Sequence, residues 1–411
     1  MRSAHPSSAG SEFCGNPNVP MRVTYFINSL EQGGAERQLA ELICGVDRSV
    51  YEPSLVVCIA RDQLGYKLPV DRVHCLDAPM FPSIGSVQHL AQILEKLGTQ
   101  LLHTTMGWEN VFGRVAAKMA RVPAIVSSVR CTELPRKHVL GERMTHKLAD
   151  AIIVNSVGIR DELSRRAGVA RDRIDVIENG VDLARFKPLD AAARERERWF
   201  WGMNGRRVLV VPGRVCAQKN QREVIRALAD MQRRGTLPND AKVVFAGRGS
   251  PPVYAEALRT YAALVGLGAN VEFLGVVGAI EKLVAAADGV LLPSRYEGLP
   301  NAVIEAMACA TPAIVSPAAN ADALVDDGCE GIVCDDATAP SIARSLERFF
   351  AMKDEQRRNM GARGRAHAER RFAVSHMVAR TQSVYERVLA RRAAPLRKTR
   401  RGVSSEQKAA S

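Results

Sequence analysis

The sequence predicts an α/β protein made of two doubly wound, Rossmann-like domains. A chain of 411 residues with 46% apolar residues is long and apolar enough for two hydrophobic cores. Short apolar runs alternate with amphipathic segments, as expected for parallel sheets whose strands are joined by helices. A strand pattern, a glycine and a helix pattern occur near the start and again from residue 208, which indicates a second domain.

The chain is expected to begin with a disordered leader over residues 1–20. This segment contains Ser, Gly, Pro and Asn but no apolar core, so we do not expect a signal peptide, and Met21 is an alternative start. Nowhere does an apolar run reach the roughly 18 to 20 residues that span a bilayer. The nine cysteines are scattered without a Cys-x-x-Cys pair, which argues against zinc and for a reducing compartment.

The first domain is expected over residues 21–186. It opens with a strand pattern at 21–28, the pair Gly33 and Gly34, and a helix pattern at 35–46, which together let an anion approach the backbone closely. The glycine spacing is not that of a dinucleotide site, and a plain tight turn is the alternative. Further strands are predicted at 53–59, 73–76, 100–103, 124–129 and 151–154, and helices at 87–97, 111–120, 139–148 and 157–167.

A linker separates the two predicted domains. Residues 187–205 contain a charged helix pattern at 191–200 and end at Gly205, after which apolar strand patterns resume. The basic stretch 387–401 holds seven basic and no acidic residues, and it dominates the net charge of +13. The segments predicted after the linker are the second domain at 206–373, a helix at 374–390 that crosses back to the first domain, and a basic disordered tail at 391–411.

Two cations follow the first strand of the second domain. The strand is predicted at 208–211, and Arg214 and Lys219 lie in the loop before a helix at 222–231. Such loops are where α/β domains bind ligands, and a planar guanidinium together with a compact ammonium suits a diphosphate. The alternative is that both are ordinary surface cations. Further strands of this domain are predicted at 243–246, 271–274, 313–316 and 331–333.

The most informative stretch covers residues 289–317. A strand pattern at 289–292 leads into a turn, and an apolar helix pattern at 302–310 follows. Glu305 is a carboxylate within that apolar helix, near enough to its start to accept hydrogen bonds from backbone amides or ligand hydroxyls. Glu297 lies in the preceding turn, from which it can lean into the same pocket. The alternative is one capping carboxylate and one surface carboxylate.

This stretch resembles the nucleotide-sugar site of glycosyltransferase family 4, the retaining transferases of GT-B architecture. The family signature has two glutamates with seven residues between them, as Glu297 and Glu305 have here, and Ala310 departs from it because the family usually has glycine there. The resemblance covers about residues 21–390. The matching residues are Ser294, Glu297, Gly298, Pro300, Glu305, Ala306, Met307, Ala308, Pro312 and Ile314. Shorter matching phrases are Gly33-Gly34-Ala35-Glu36-Arg37, Glu178-Asn179-Gly180-Val181-Asp182, Gly213-Arg214 with Lys219, and Gly247-Arg248-Gly249.

The resemblance implies two domains that face each other across a cleft, with the donor held mainly by the second. Arg214 and Lys219 would stabilise the diphosphate leaving group, Glu305 would hold the ribose hydroxyls, and Glu297 would bind those of the donor sugar. The implied catalytic residues are Glu297, Arg214 and Lys219, and the implied donor-binding residues are Gly33, Gly34, Gly298, Leu299, Pro300, Asn301 and Glu305.

The activity implied is hexosyl transfer from a nucleotide-diphosphate sugar, with no metal and no other cofactor. The expected acceptor is a lipid-linked or cell-surface glycan precursor of polysaccharide biosynthesis, used in the cytoplasm at the inner face of the membrane. The basic tail predicts peripheral contact with anionic membrane, and no nucleic-acid-binding motif accompanies its charge. Two alternatives are a nucleotide-sugar epimerase of the same architecture, which the two-glutamate phrase argues against, and a non-catalytic partner subunit that binds nucleotide sugar.

His103 and Arg130 are the candidates for the acceptor side. Many family members have a histidine after the strand at 124–129, where this chain has Arg130. Arginine cannot act as a base, but together with the other cations of residues 130–147 it suits an acceptor that carries phosphate. The alternative for Arg130 is an ion pair with Glu133. His103 follows another strand, and the alternative for this isolated histidine is a structural role.

Overall fold

The computed structural model describes residues 19–31, 33–60, 68–70, 73–77 and 83–406, with side chains as far as Arg392. These residues form two separate sheets whose strands are all parallel, joined by helices. The predicted fold class of two doubly wound, Rossmann-like domains is therefore confirmed. The predicted leader falls almost entirely on residues 1–18, which lie outside the described residues.

The first sheet has seven strands among the described residues, in the order β3-β2-β1-β4-β5-β6-β7. Its strands are β1 Met21–Ile27, β2 Tyr51–Val57, β3 Val73–Cys75, β4 Leu101–Thr105, β5 Ala124–Val129, β6 Ala151–Val154 and β7 Ile174–Val176. Its helices are α1 Gly34–Gly45, α2 Ile84–Lys96, α3 Gly107–Met119, α4 Arg136–Thr145 and α5 Val157–Ala167. The strand order reverses between β1 and β4, so a crevice opens beyond their carboxyl ends.

The linker helix α6, Ala191–Phe200, leads to a second sheet with the order β10-β9-β8-β11-β12-β13. Its strands are β8 Arg207–Pro212, β9 Ala241–Ala246, β10 Val271–Gly275, β11 Gly289–Leu292, β12 Ala313–Val315 and β13 Gly331–Val333. Its helices are α7 Gln221–Arg234, α8 Pro252–Leu264, α9 Ile280–Ala286, α10 Asn301–Ala308, α11 Ala339–Ala351 and α12 Asp354–Arg371. Here the order reverses between β8 and β11.

Strand β8 illustrates why the central strands are apolar throughout. Val208 and Val210 pack into one core cluster, whereas Leu209 and Val211 pack into the cluster on the other face. All four side chains are fully buried. Because helices cover both faces of a parallel sheet, consecutive apolar residues are needed, and the same runs had predicted these strands.

The last helix, α13 Val374–Glu406, packs against the first domain. Its residues Met377, Val378, Val384 and Tyr385 belong to a core cluster that includes β1 and β2. Within the described residues the backbone remains helical to Glu406, so the predicted change to a disordered tail at residue 391 is not observed there. Ala, Arg, Leu and Lys, which make up most of this extension, all favour helix.

Among the described elements, β7, α8 and α9 were not predicted, and no bounds were predicted for α11 and α12. Strand β7 has three residues and helix α9 has seven, too few for a clear periodic pattern. Helix α8 buries only Leu258 and Ala262, so its apolar stripe is weak in the sequence.

None of the described helices combines the length and the apolar character needed to cross a membrane.

Candidate active site in the interdomain cleft

The loops that follow β8 and β11 lie beside each other at the reversal of the second sheet. The two strands pair through Leu209 and Val210 of β8, and the chain order reverses between them. Arg214 and Lys219 follow β8, and Glu297 follows β11. Because both loops leave the carboxyl ends of adjacent parallel strands, residues about 80 positions apart share one crevice.

Lys219 and Glu297 form an ion pair in this crevice. Nζ of Lys219 is 2.5 Å from Oε1 of Glu297, and the two side chains are 15% and 10% exposed. The Arg214 guanidinium is exposed at the edge of the same loop, 3.5 Å from the amide oxygen of Gln218. From the first domain, the Thr132 hydroxyl donates to the backbone oxygen of Glu297 at 3.0 Å. The three residues predicted to be catalytic therefore lie where the domains meet.

Glu305 is buried in α10 and pairs with a cation from the first domain. The residue is 6% exposed, and its Oε1 accepts a hydrogen bond from Arg37 of α1. The Arg37 guanidinium carbon also lies 6.0 Å from the centroid of the Phe186 ring. The basic residue nearest to Glu305 in the sequence is Arg295, whereas the cation that pairs with it in the structure lies 268 residues away. The carboxylate predicted to hold ribose is thus paired with Arg37 here.

Asparagine side chains hold the turn at residues 298–301 against the first domain. Nδ2 of Asn179 donates to the Leu299 backbone oxygen at 2.8 Å and to Oδ1 of Asn301 at 2.6 Å. Nδ2 of Asn301 donates in turn to the backbone oxygen of Gly34 at 3.2 Å. We call the turn at residues 298–301 the donor loop and the segment with Gly33 and Gly34 the glycine loop. One hydrogen-bond network therefore joins the donor loop of the second domain to the glycine loop of the first.

Gly298 occupies a position where a side chain would not fit. A β-carbon there would lie 2.7 Å from the backbone oxygen of Arg130 and 3.1 Å from Oδ1 of Asn155. Both neighbours belong to the first domain, so glycine allows the two domains to approach closely at this point. Pro300 follows in the turn and immediately precedes α10.

The glycine pair of the first domain lies at the start of α1. Gly33 precedes the helix, Gly34 is its first residue, and a β-carbon on Gly34 would meet Nδ2 of Asn301 at 3.2 Å. One turn further on, Gln38 bonds to both backbone groups of Gly180, accepting from its N–H at 2.8 Å and donating to its oxygen at 2.7 Å. The start of α1 is therefore fixed against the interdomain segment and the donor loop together.

The prediction that His103 faces the acceptor side is wrong. The side chain is 1% exposed in β4, with Nδ1 2.5 Å from the Tyr385 hydroxyl and Nε2 2.6 Å from the Ser128 hydroxyl. Burial lowers the pKa of the imidazole to about 3, so the ring is neutral. Nδ1 therefore links β4 to α13 and Nε2 links β4 to β5, which is the structural role considered as the alternative.

Arg130 lies at the junction of the two domains. Its Nη1 donates to Oδ1 of Asn179 at 2.7 Å, which connects it to the residue that holds the donor loop. Its Nε is buried without a hydrogen-bond partner in the described part of the chain, and burial lowers the pKa of the guanidinium to about 10. Within the described residues Arg130 makes no ion pair with Glu133, because its side chain turns toward the cleft instead.

Two carboxylates to which the sequence assigned no role, Glu36 and Glu109, lie at the crevice of the first domain. Glu36 lies in the first turn of α1 after β1, and Glu109 in the first turn of α3 after β4, so they flank the reversal of that sheet. Burial raises the pKa of both carboxyls, that of Glu109 to about 7, and the nearby Glu36 adds to the shift of Glu109. An acid in the first turn after a strand was the signal available for each.

Among the described residues, no three His, Cys, Asp or Glu side chains are grouped in a way that could hold a metal ion. The described cysteines are all free thiols. The contacts of Arg37, Gln38, Thr132 and Asn179 were not predicted, because each partner lies on a distant element.

Two family models match this chain, one over each domain. The model described as Glycosyltransferase Family 4 matches residues 32–185, and the model described as Glycosyl transferases group 1 matches residues 193–367. The chain belongs to glycosyltransferase family 4. The second match includes both glutamates and both cations of the crevice, and the first includes the glycine loop and Arg37.

Among relatives with a named function, the family resemblance is partial in length. A D-inositol 3-phosphate glycosyltransferase of Salinispora tropica is 30% identical over 316 residues, which is 74% of this chain and 62% of the relative. An alpha-D-kanosaminyltransferase of Streptomyces kanamyceticus is 29% identical over 216 residues, covering 51% of this chain and 53% of the relative. The chain thus spans roughly half to three fifths of the length of the curated relatives it matches.

Solved structures share the fold over nearly the whole chain. HepE of Anabaena, crystallised with UDP and glucose, matches with a TM-score of 0.79 at 21% identity, covering 89% of this chain and 99% of that one. WaaG, a glycosyltransferase involved in lipopolysaccharide biosynthesis, matches with a TM-score of 0.67 at 14% identity, covering 86% and 97%. At these identities the likeness establishes the two-domain GT-B fold of the family.

Proposed function

We propose that this protein is a retaining glycosyltransferase that uses a nucleotide-diphosphate sugar as donor. The observation that carries the proposal is the crevice between β8 and β11. There Lys219 lies 2.5 Å from Glu297, Arg214 is exposed on the same loop, and Glu305 is buried in the adjoining helix α10. Family membership, and a structural neighbour crystallised with UDP-glucose, support the same donor class for this chain.

The two cations are proposed to stabilise the departing nucleoside diphosphate. Negative charge develops on the phosphate oxygens as the bond to the sugar breaks, and cations fixed beforehand in a dry cleft stabilise it effectively. Lys219 is partly buried and already held in place by Glu297, whereas Arg214 approaches from the exposed edge. This arrangement suits a diphosphate that enters with its sugar toward Glu297.

The two glutamates are proposed to bind hydroxyl groups rather than to form bonds with the sugar. Glu305 would hold the ribose hydroxyls once Arg37 gives way, and Glu297 would orient the donor sugar through its hydroxyls. Both are nearly buried, so each must exchange its cation for another hydrogen-bond donor when the ligand binds. No divalent metal and no other cofactor is assigned a step in this proposal.

The proposed acceptor is a lipid-linked or cell-surface glycan precursor, used at the inner face of a membrane. The buried, unpartnered Nε of Arg130 beside the cleft supports an acceptor that carries phosphate. The Salinispora relative is named for an acceptor of that chemical class, a phosphorylated polyol. Polysaccharide biosynthesis is the process that such an acceptor would serve.

A donor screen tests the proposal. Purified protein is incubated with a panel of nucleotide-diphosphate sugars, with and without lipid-linked acceptor, and nucleoside diphosphate release is measured. We expect release with one donor, strong stimulation by acceptor, retained anomeric configuration, and undiminished activity in EDTA. A Lys282→Ala variant, which alters an exposed lysine of α9, is the control for a Lys219→Ala variant. An absence of release with every donor, or complete loss in EDTA reversed by manganese, would contradict the proposal.

A further inference from the structure

Helix α4 and the turn after it present an exposed surface of mixed basic and apolar character. We define the α4 face as Arg136, Lys137, Leu140, Arg143, Met144 and Lys147, all of which are exposed. Their spacing of three and four residues places them on one side of the helix. Leu140 and Met144 are 58% and 74% exposed, whereas Val139 and Thr145 on the opposite side are buried.

Three of the four cations of the α4 face are not paired with a carboxylate among the described residues. Arg136, Arg143 and Lys147 take part in no ion pair within the described part of the chain. The acidic residue of the helix, Glu142, is 2% exposed on the other side, where its Oε2 lies 2.7 Å from Nη1 of Arg114. The face therefore combines four cations with two exposed apolar side chains and contains no acid.

We propose that the α4 face docks this protein on an anionic lipid bilayer. Cations that flank exposed apolar side chains are the features of a helix that lies in the membrane interface, since the cations meet lipid phosphate and the apolar groups enter the acyl boundary. A nucleic acid would use the cations alone, and it gives no reason for Leu140 and Met144 to be exposed.

The position of the face relative to the cleft gives this contact a purpose. Helix α4 follows the loop whose Thr132 hydroxyl donates to the backbone oxygen of Glu297 at 3.0 Å. Docking through α4 would therefore bring the mouth of the crevice to the bilayer surface. The role given to docking rests on the proposed function, because a lipid-linked acceptor would be presented at the bilayer surface.

Vesicle flotation of the full chain tests the inference. The vesicles are phosphatidylcholine alone or phosphatidylcholine with phosphatidylglycerol, at low and at moderate salt. The α4 variants are R136E/R143E and L140S/M144S, which change charge and apolar area separately. Matched controls make the same changes elsewhere, R358E/R370E on exposed arginines of α12 and V253S/L264S on exposed residues of α8. A chain that ends at residue 390 separates the contribution of the basic tail.

We expect the parent to float only with the anionic vesicles. R136E/R143E should lower partitioning about tenfold or more, L140S/M144S should lower it severalfold, and both controls should behave as the parent. Equal partitioning of α4 variants and controls, binding to an RNA oligonucleotide in preference to vesicles, or complete loss in the truncated chain would overturn the inference. Thermal melting and nucleoside diphosphate binding verify that each variant is folded. Because flotation requires no turnover, failure of the donor screen and failure of this inference remain distinguishable.

Discussion

Arg37 of the first domain and Glu305 of the second form an ion pair across the cleft. The Glu305 side chain is 8% exposed and that of Arg37 is 26% exposed, so the pair is largely shielded from water. The proposed ribose and Arg37 therefore compete for one carboxylate. Because a buried carboxylate left without a partner is costly, the pair also favours a closed cleft in the absence of nucleotide.

Glu305→Ala is predicted to weaken nucleoside diphosphate binding, because the carboxylate that would hold the ribose is removed. Arg37→Met is predicted to strengthen it by roughly threefold or more, because the buried Glu305 carboxylate then lacks its cation and gains more from the ribose hydroxyls. Calorimetric titration of both variants, the double variant and the parent measures the coupling. Arg371→Met, which removes a cross-domain pair with Glu178, is the control. Equal affinities of Arg37→Met and parent would show that the pair does not compete with the ligand, and equal affinities of Glu305→Ala and parent would remove the ribose role.

Lys219→Ala and Arg214→Ala are each predicted to cost about 2 to 4 kcal/mol of transition-state stabilisation, comparable to the loss of an oxyanion donor. The reason is that both cations lie on the loop after β8, beside Glu297. The measurement is kcat/KM for donor, with Lys282→Ala as control. A decrease of less than about fivefold for both variants would refute the diphosphate assignment.

Arg130→Ala is predicted to weaken donor binding as well as acceptor use. Its hydrogen bond to Asn179 supports the turn that includes Leu299 and Asn301. A hydrogen bond that involves a charged group contributes about 1.5 to 3 kcal/mol. Donor affinity and acceptor KM are measured separately for Arg130→Ala and Arg130→His. An increase in acceptor KM alone would restore the role predicted from sequence, in which Arg130 serves the acceptor without the donor.

Ala310→Gly is predicted to stabilise the protein by about 0.5 to 1 kcal/mol. Ala310 has a φ of +56° where α10 ends. This left-handed conformation costs a residue with a β-carbon about 1 to 2 kcal/mol, and the greater freedom of glycine in the unfolded chain offsets part of that cost. Urea unfolding measures the change. Ala257→Gly on the exposed side of α8 is the control and should destabilise by about 1 kcal/mol. A loss of stability at both positions would mean that the backbone at residue 310 is not strained.

Glu109→Gln is predicted to become stabilising as the pH rises. Burial raises the folded pKa of Glu109 from 4.5 to about 7, so its protonated form is favoured by folding. That contribution is fully present below pH 4.5 and is lost as the pH rises through 7, so the variant should gain about 1 to 3 kcal/mol relative to the parent between pH 4.5 and 8. Unfolding free energies at a series of pH values test this, with the exposed Glu95→Gln as control. A difference that does not change with pH would contradict the prediction.

Local patterns determined the fold class and many boundaries. Strands β5, β6, β11 and β13 and helices α5 and α6 begin and end at the predicted residues, because each is a clear apolar or amphipathic run with distinct flanking residues. The loop carrying Arg214 and Lys219 and the turn carrying Glu297 were also found in this way, since each follows an evident strand. Helix α8 was not predicted, because it buries only two residues and its apolar stripe is therefore weak in the sequence.

Only the tertiary structure determined which of these residues meet. The apolar pattern of a single strand does not indicate which strands lie beside it. Packing therefore decided that β8 and β11 are adjacent and that Lys219 pairs with Glu297. Arg37 and Glu305 are 268 residues apart, and no local pattern could pair them. His103 and Arg130 were both predicted to face the cleft because each lies at the end of a predicted strand. In the structure, α13 packs over His103 and buries it, and Arg130 donates a hydrogen bond to Asn179, which in turn contacts the turn at residues 298–301.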